Sequence, residues 1–237
     1  MTTSELKKLK PVNIIRAGIR NVLGVVLLIG GFLFLSAGTV YWLEAWVIVG
    51  LFVAYFSIWV IWGMRNDPAL LQERAQSLKK DGKEWDKKLV QFNLVISIAF
   101  YVVAGLDAVR FGWSQVDARI IPFALLFAVL GYVLPFWAMT NNPFASGIVR
   151  IQKERGHKVV SGGPYQFIRH PMYLGTFFYG IGAPLYLGSL WALVPGMALI
   201  TTIIIRTALE DRTLQEELPG YREYAQKVRF RLIPGIW

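Results

Sequence analysis

IIPFALLFAVLGYVLPFWAM, residues Ile120 to Met139, carries no charged side chain in twenty positions. A helix of that length covers about 30 Å, the thickness of a bilayer's hydrocarbon core. Comparable apolar stretches precede it at Asn21–Val40, Ala45–Gly63 and Leu89–Val109. Two shorter ones follow, Tyr173–Leu187 and Ser189–Ile205, and these carry Pro184 and Pro195. The pattern predicts an all-α, polytopic integral membrane protein with five to six transmembrane helices. The last two stretches form a C-terminal helical hairpin that either crosses or dips in and returns. Residues 1–140 then hold the N-terminal spans and a cytoplasmic loop, 65–88. Residues 141–237 hold a long polar segment, the hairpin and a polar tail.

Composition agrees with this reading. Charged residues are only 17% of the 237, against about 25% in soluble domains. The absence of cysteine excludes disulfides and thiolate chemistry, and two histidines argue against a metal site. The net charge of +10 could serve nucleic acid or a membrane surface. Basic residues of a nucleic-acid binder cluster on one face or arm. Here they fill the gaps between apolar stretches, which favours anionic lipid and no nucleic acid. The first apolar run is too long for a signal-peptide core.

Charge placement orients the chain. If all six stretches cross, one side receives Met1–Arg20, Arg65–Lys88, Thr140–Pro171 and Arg206–Trp237. These segments hold five, seven, five and six Lys and Arg residues, and only Arg110 and Arg119 fall on the other side. The positive-inside rule makes the basic side, with both termini, cytoplasmic. In a bacterium this would be the inner membrane. Tyr41, Trp42, Trp46 and Trp113 stand where aromatic interface anchors belong. The loop Arg65–Lys88 mixes both signs of charge and reads as a surface helix with a solvated face.

Chemistry concentrates in two segments. The first runs from Asn141-Asn142-Pro143 to Gly175 and contains both histidines, His157 and His170. Gly162-Gly163-Pro164 is turn chemistry. Pro171 suits the first turn of the next helix, which places His170 at a helix N-terminus, where anions are favoured. Arg169 could hold lipid phosphate, and Tyr173 could be an interface anchor. The second segment contains Arg206, Glu210, Asp211 and Glu217. Arg206 and Glu210 are four apart and share a helical face, the spacing of a surface ion pair. Charges beside a bilayer are nevertheless usually functional. The hairpin returns this cluster to His170, forming one pocket on the cytoplasmic side. Arginine, carboxylates, histidine and helix N–H groups beside an apolar wall suit a zwitterionic, nucleoside-like ligand next to a lipidic substrate. Gly180-Ile181-Gly182 lies in an apolar span and fails the context test for a dinucleotide loop.

These residues resemble the isoprenylcysteine carboxyl methyltransferase family and the related phospholipid N-methyltransferases. The likeness rests on Gly-Pro-Tyr-x-x-x-Arg-His-Pro-x-Tyr-x-Gly at Gly163–Gly175, His-x-Val-Val at His157–Val160, and Arg-x-x-x-Glu-Asp at Arg206–Asp211. The endings Leu218–Tyr224 and Val228–Trp237 resemble bacterial members. The resemblance implies S-adenosyl-L-methionine as methyl donor and a lipidic or lipid-anchored acceptor, with no metal. By the same resemblance His157, Val159, Val160, Tyr165, Arg169, His170, Pro171, Tyr173, Gly175, Glu210 and Asp211 are cofactor-binding residues. A family glutamine seven positions before the first histidine falls on Arg150, and the nearest glutamine is Gln152. Arg206, Glu210 and His170 are the implied catalytic residues, with Arg206 facing the acceptor. Asp211 replaces a glutamate of many members. A carboxylate acceptor needs no base, whereas an amine would pass its proton to Glu210, Asp211 or His170. Arg-His-Pro-x-Tyr also occurs in membrane sterol reductases, so an NADPH-dependent reductase is the rival enzyme reading. A non-enzymatic membrane scaffold is a third.

Overall fold

The computed structural model describes the backbone of residues 11–75 and 81–237, with side chains from Leu23 onward except 75–80. The basic start Met1–Lys10 and the loop residues Lys79 and Lys80 lie outside the described residues. Eight α-helices are present among the described residues, and no strand. They are α1 (Pro11–Ala37), α2 (Leu43–Asn66), α3 (Pro68–Ala75), α4 (Glu84–Gly105), α5 (Ile121–Thr140), α6 (Pro171–Tyr186), α7 (Leu193–Glu217) and α8 (Tyr221–Lys227). A π-helical turn, Leu106–Phe111, prolongs α4.

Four of these, α2, α4 with its π turn, α5 and α7, are long and apolar enough to cross a membrane. The described apolar part of α1, Leu23–Ala37, is shorter. Leu27, Leu35, Val95, Phe123 and Val194 are all more than 60% exposed. Large apolar side chains pointing outward all round mark helices that face lipid. The chain is an integral membrane protein.

Lipid tails are as apolar as leucine, so helices in a bilayer associate by close packing of small residues. The α5–α6 pair shows this most clearly. A Cβ on Gly175 would lie 2.2 Å from Pro135 Cγ, and one on Gly182 would lie 2.5 Å from the Ala128 nitrogen. The opposite face of α6 meets α7, where a Cβ on Gly196 would lie 2.2 Å from the Gly180 carbonyl oxygen. Both glycines of the Gly-x-Gly pair thus serve packing, as the failed loop context implies.

The short α6 has 16 residues, about 24 Å of rise. Its connection to α7 nonetheless reaches the far end of the bundle. Buried Asp107, in the π turn closing α4, accepts hydrogen bonds on Oδ2 from Ser114 Oγ (2.7 Å), Ser189 Oγ (2.6 Å) and the Trp191 N–H (3.1 Å). The hairpin turn is therefore pinned beside the end of α4. At the opposite end α7 does not stop where its apolar stretch stops at Ile205. It continues without a break through Arg206, Glu210 and Asp211, so one rigid helix joins membrane wall and charged cluster.

Two surface expectations change. Trp42 is 6% exposed and belongs to the main apolar core, whereas Tyr41, Trp46 and Trp113 stay on the surface. The loop 65–88 is also not a solvated face throughout. Pro68 opens α3, and Asp67 Oδ1 accepts the Leu70 N–H at 2.9 Å as its N-cap. The buried face of α3 carries Leu70, Leu71 and Glu73.

Candidate active site

Between α6, α7, α8 and the long segment 141–170 lies a solvent-open pocket. His157, Val159, Val160, Tyr165, Arg169, His170, Tyr173 and Glu210, all predicted from the sequence, line it together. The segment reaches this position through particular backbone choices. Gly163 has φ 58°, and a Cβ there would sit 2.4 Å from Asn141 Oδ1. Only glycine permits the turn and this approach to the end of α5. The 3-10 turn Gly163–Gln166 then buries Tyr165. Its hydroxyl accepts from Asn142 Nδ2 at 3.1 Å, and its carbonyl accepts from Tyr224 Oη at 2.7 Å.

His170 is the residue preceding α6, with Pro171 at the first helical position. Its buried ring lies parallel to Tyr173 at 5.9 Å. Nε2 lies 3.3 Å from Asp211 Oδ1 and 3.4 Å from Tyr221 Oη. Asp211 itself is fully buried behind the pocket wall. It accepts from Arg169 Nη2 (3.2 Å), Arg231 Nε (2.9 Å), Gln215 Nε2 (2.7 Å) and Tyr221 Oη (3.2 Å). Arg169 Nε lies 3.0 Å from Oδ1 but lacks hydrogen-bond alignment. Arg169 also donates to the carbonyls of Ala225 and Val228, at 3.1 and 3.4 Å. Arg169 is therefore spent internally and is not placed to hold lipid phosphate. Asp211 is a post for the Arg-His pair, outside the pocket lining.

Three further predicted contacts are relocated. Gln152 is fully buried under the loop, donating to the Phe144 carbonyl at 2.6 Å and accepting from Arg155 Nη1 at 2.5 Å. Its backbone N–H donates to His157 Nδ1 at 3.3 Å, so it positions His157 and does not line the pocket. Gly175 faces Pro135, and Pro171 is used as a helix start. The His157 ring stacks on Phe144 at 4.6 Å. Partial burial, then the charges of Arg150 and Arg155, pull its pKa down to about 4, so it is neutral at physiological pH.

Glu210 and Arg206 do not pair with each other, contrary to the i, i+4 expectation. Tyr173 Oη donates to Glu210 Oε2 in a short hydrogen bond. Arg206 instead grips Asp86 through two bonds, Nε to Oδ1 at 2.6 Å and Nη2 to Oδ2 at 2.8 Å, and donates to the Gly147 carbonyl at 2.9 Å. Its guanidinium lies 5.2 Å from the Tyr173 ring centre. Asp86 is fully buried and also accepts the Val149 N–H at 2.7 Å. Arg150 is buried too, with Glu73 at 3.1 Å and Asp81 and Glu154 at 2.5 Å each. The loop 65–88 thus braces the site from behind: Asp86 holds Arg206 and Glu73 holds Arg150, while neither the loop's described residues nor Arg206 line the pocket. Asp86, Glu73, Tyr221 and Tyr224 went unassigned in the sequence. For the tyrosines the i, i+3 spacing after Pro219-Gly220 was an available signal. For Asp86 there was none, because its partner is 120 residues away. Of the three proton acceptors considered for an amine, only Glu210 faces the cavity without being committed to the Asp211 network.

Known proteins bear on this site. Residues 120–219 match the phospholipid methyltransferase family. Protein-S-isoprenylcysteine O-methyltransferase B of Arabidopsis thaliana is 29% identical over 143 residues, 57% of this chain and 68% of that protein. The Saccharomyces cerevisiae protein-S-isoprenylcysteine O-methyltransferase is 32% identical over 125 residues, 52% of each chain. That of Schizosaccharomyces pombe is 28% identical over 113 residues, 44% of this chain and 46% of that one. A solved eukaryotic intramembrane Ras methyltransferase, an isoprenylcysteine carboxyl methyltransferase, aligns over 92% of this chain and 86% of its own. Its sequence identity is 18% and the TM-score 0.47.

Proposed function

We propose that this chain, which belongs to the isoprenylcysteine carboxyl methyltransferase family, moves a methyl group from S-adenosyl-L-methionine to a lipidic or lipid-anchored acceptor. The observation that carries the proposal is the convergence of His157–Val160, Tyr165, His170, Tyr173 and Glu210 on one pocket beside lipid-facing helices.

The residues fit the donor. Val159, Val160, Leu214 and Leu218 offer an apolar bed for a nucleoside, and neutral His157 adds a planar ring. Glu210 offers a carboxylate to a cationic or hydroxyl group, and Tyr173 offers an aromatic face to a cation. When bound, the donor supplies an electrophilic methyl on sulfonium. The protein's task is alignment and exclusion of water. Glu210, fixed by Tyr173, orients the donor. Asp211 holds His170 and Arg169 so that the wall keeps its shape. For an amine acceptor Glu210 is the group placed to take the proton.

The pocket and both termini are assigned to the cytoplasmic side by the charge distribution. Equilibrium binding to the purified protein tests the function. S-adenosyl-L-methionine is expected to bind and to label a lipid-extract component. Tight NADPH binding without donor binding would replace this reading with the reductase. Full function after His170→Ala and Glu210→Ala would support the scaffold.

A further inference from the structure

The segment after α8, residues 228–237, gives no side chain to the pocket lining, yet it is fastened to the back of the pocket. The N–H groups of Arg169 and His170 donate to the carbonyls of Phe230 and Arg231, at 3.0 and 2.9 Å. The Arg231 side chain donates from Nε to Asp211 Oδ2 at 2.9 Å. Leu232 is fully buried and packs with Tyr173 of α6 and Ile203 of α7. The segment then turns back on itself at Gly235, whose φ of 81° suits glycine. The Trp237 main-chain oxygen accepts the N–H groups of Arg231, Leu232 and Ile233 at 2.9, 3.0 and 3.2 Å. Three successive N–H groups around one oxygen form a nest, and the Trp237 ring centre lies 5.1 Å from the Arg231 guanidinium. The result is a closed hook that presents Arg231 to Asp211. Close glycine packing between α6 and α7 is centred on Gly180 and Gly196. Gly180 is ten residues from His170, about 15 Å of helix. At the pocket end the hook bridges the two helices, touching the start of α6 and a carboxylate of α7.

We propose that this hook is a clamp that positions the donor site, with Arg231 as its positioning residue. Arg231 acts through Asp211 and His170 to hold the start of α6 against α7. Tyr173 and Glu210, one on each helix, then keep the spacing that the donor needs. Leu232 wedges behind Tyr173 and keeps Arg231 in register with Asp211. The proposal rests on the methyltransferase reading above. It assigns the tail a task in donor binding although no tail side chain meets the donor.

The test uses the full chain in nanodiscs of zwitterionic lipid, with S-adenosyl-L-methionine as the probe. Arg231→Gln should weaken donor affinity by roughly 10-fold, the worth of one charged hydrogen bond. Arg231→Lys should recover part of that loss, because it restores the charge beside Asp211. Arg229→Gln, which removes an exposed arginine of the same tail, should leave donor affinity unchanged. Donor affinity in Arg231→Gln no lower than in Arg229→Gln would overturn the proposal. NMR of the imidazoles gives a second readout that needs no donor. The chain has two histidines, and Arg231→Gln should move the His170 resonances while those of His157 stay in place. Unmoved His157 resonances report an intact fold, so the His170 change is then local. Resonances of His170 that stay in place would overturn the clamp and leave the proposed function standing. Moved His170 resonances in a protein that binds no donor would keep the clamp on His170 and remove the methyltransferase reading.

Discussion

Two fully buried aspartates sit at opposite ends of the bundle and are used differently. Asp211, at the pocket, is surrounded by two arginines, a histidine, a tyrosine and a glutamine. Asp107, at the far end, has no cation on it. Two serine hydroxyls and one backbone N–H bind its Oδ2, while Oδ1 is buried without a partner. The first carboxylate ties side chains that face a cavity to others behind it. The second ties a helix turn to the neighbouring helix. Burial of charge alone therefore does not mark the functional end. What marks it is that three partners of Asp211, namely Arg169, His170 and Tyr221, also line the pocket.

Neutralising each aspartate should separate these roles. Asp211→Asn is expected to give the largest effect. It leaves Arg169 and Arg231 without their counter-charge, and breaking a buried charge network costs about 3–5 kcal/mol. Donor affinity should fall by at least about 100-fold, read by equilibrium binding. Asp107→Asn should lower thermal stability while each folded molecule keeps its donor affinity. Donor loss in Asp107→Asn, or none in Asp211→Asn, would break the comparison.

Asp86→Asn sharpens it next. This residue touches no pocket space of its own but fixes Arg206. The turnover rate should drop about 10- to 100-fold, equivalent to the roughly 1.5–3 kcal/mol of a charged hydrogen bond. Donor affinity should be retained. An equal loss of donor affinity would mean that Asp86 supports the whole loop instead.

A smaller effect is expected from pH. His157 has a folded pKa near 4, below its ordinary value of 6.5. Below about pH 6.5 the unfolded chain takes up a proton that the folded site refuses until about pH 4. The site thus withdraws stability as pH falls through that window and is neutral in effect above it. Donor affinity should stay flat down to about pH 5 and weaken toward pH 4. His157→Gln should flatten that final fall, and NMR titration of the imidazole checks the value directly.

The smallest perturbation tests which end faces the cytoplasm. The chain has no cysteine, so single cysteines report cleanly. Lys158→Cys at the pocket should react with an impermeant maleimide only from the cytoplasmic side, and Asp117→Cys only from the other. The reverse pattern would invert the orientation while leaving the two aspartates' roles intact.

Much of the site was legible because its parts are local. Gly163-Pro164-Tyr165, Arg169-His170-Pro171 and Glu210-Asp211 each sit within one turn or one helix end, where spacing has direct geometric meaning. Gln152 and Asp211 stand one layer behind the pocket lining, and spacing cannot distinguish a residue that lines a cavity from one that holds its neighbour. The loop 65–88 was misread for a related reason. Mixed charge looks the same whether its partners are water or distant side chains.

By itself the sequence determined the class of the molecule: a helical membrane protein with its basic residues gathered between the spans and a motif-bearing segment beside the last hairpin. Length, apolarity and charge are properties of the chain, and a bilayer imposes their consequence on any fold. Only the tertiary structure decided which charges meet. Arg206 found Asp86 rather than Glu210, and Arg150 found Glu73, because pairing depends on how small residues such as Gly175, Gly182 and Gly196 let the helices close. Those contacts are set by shape in three dimensions, and no local spacing encodes them.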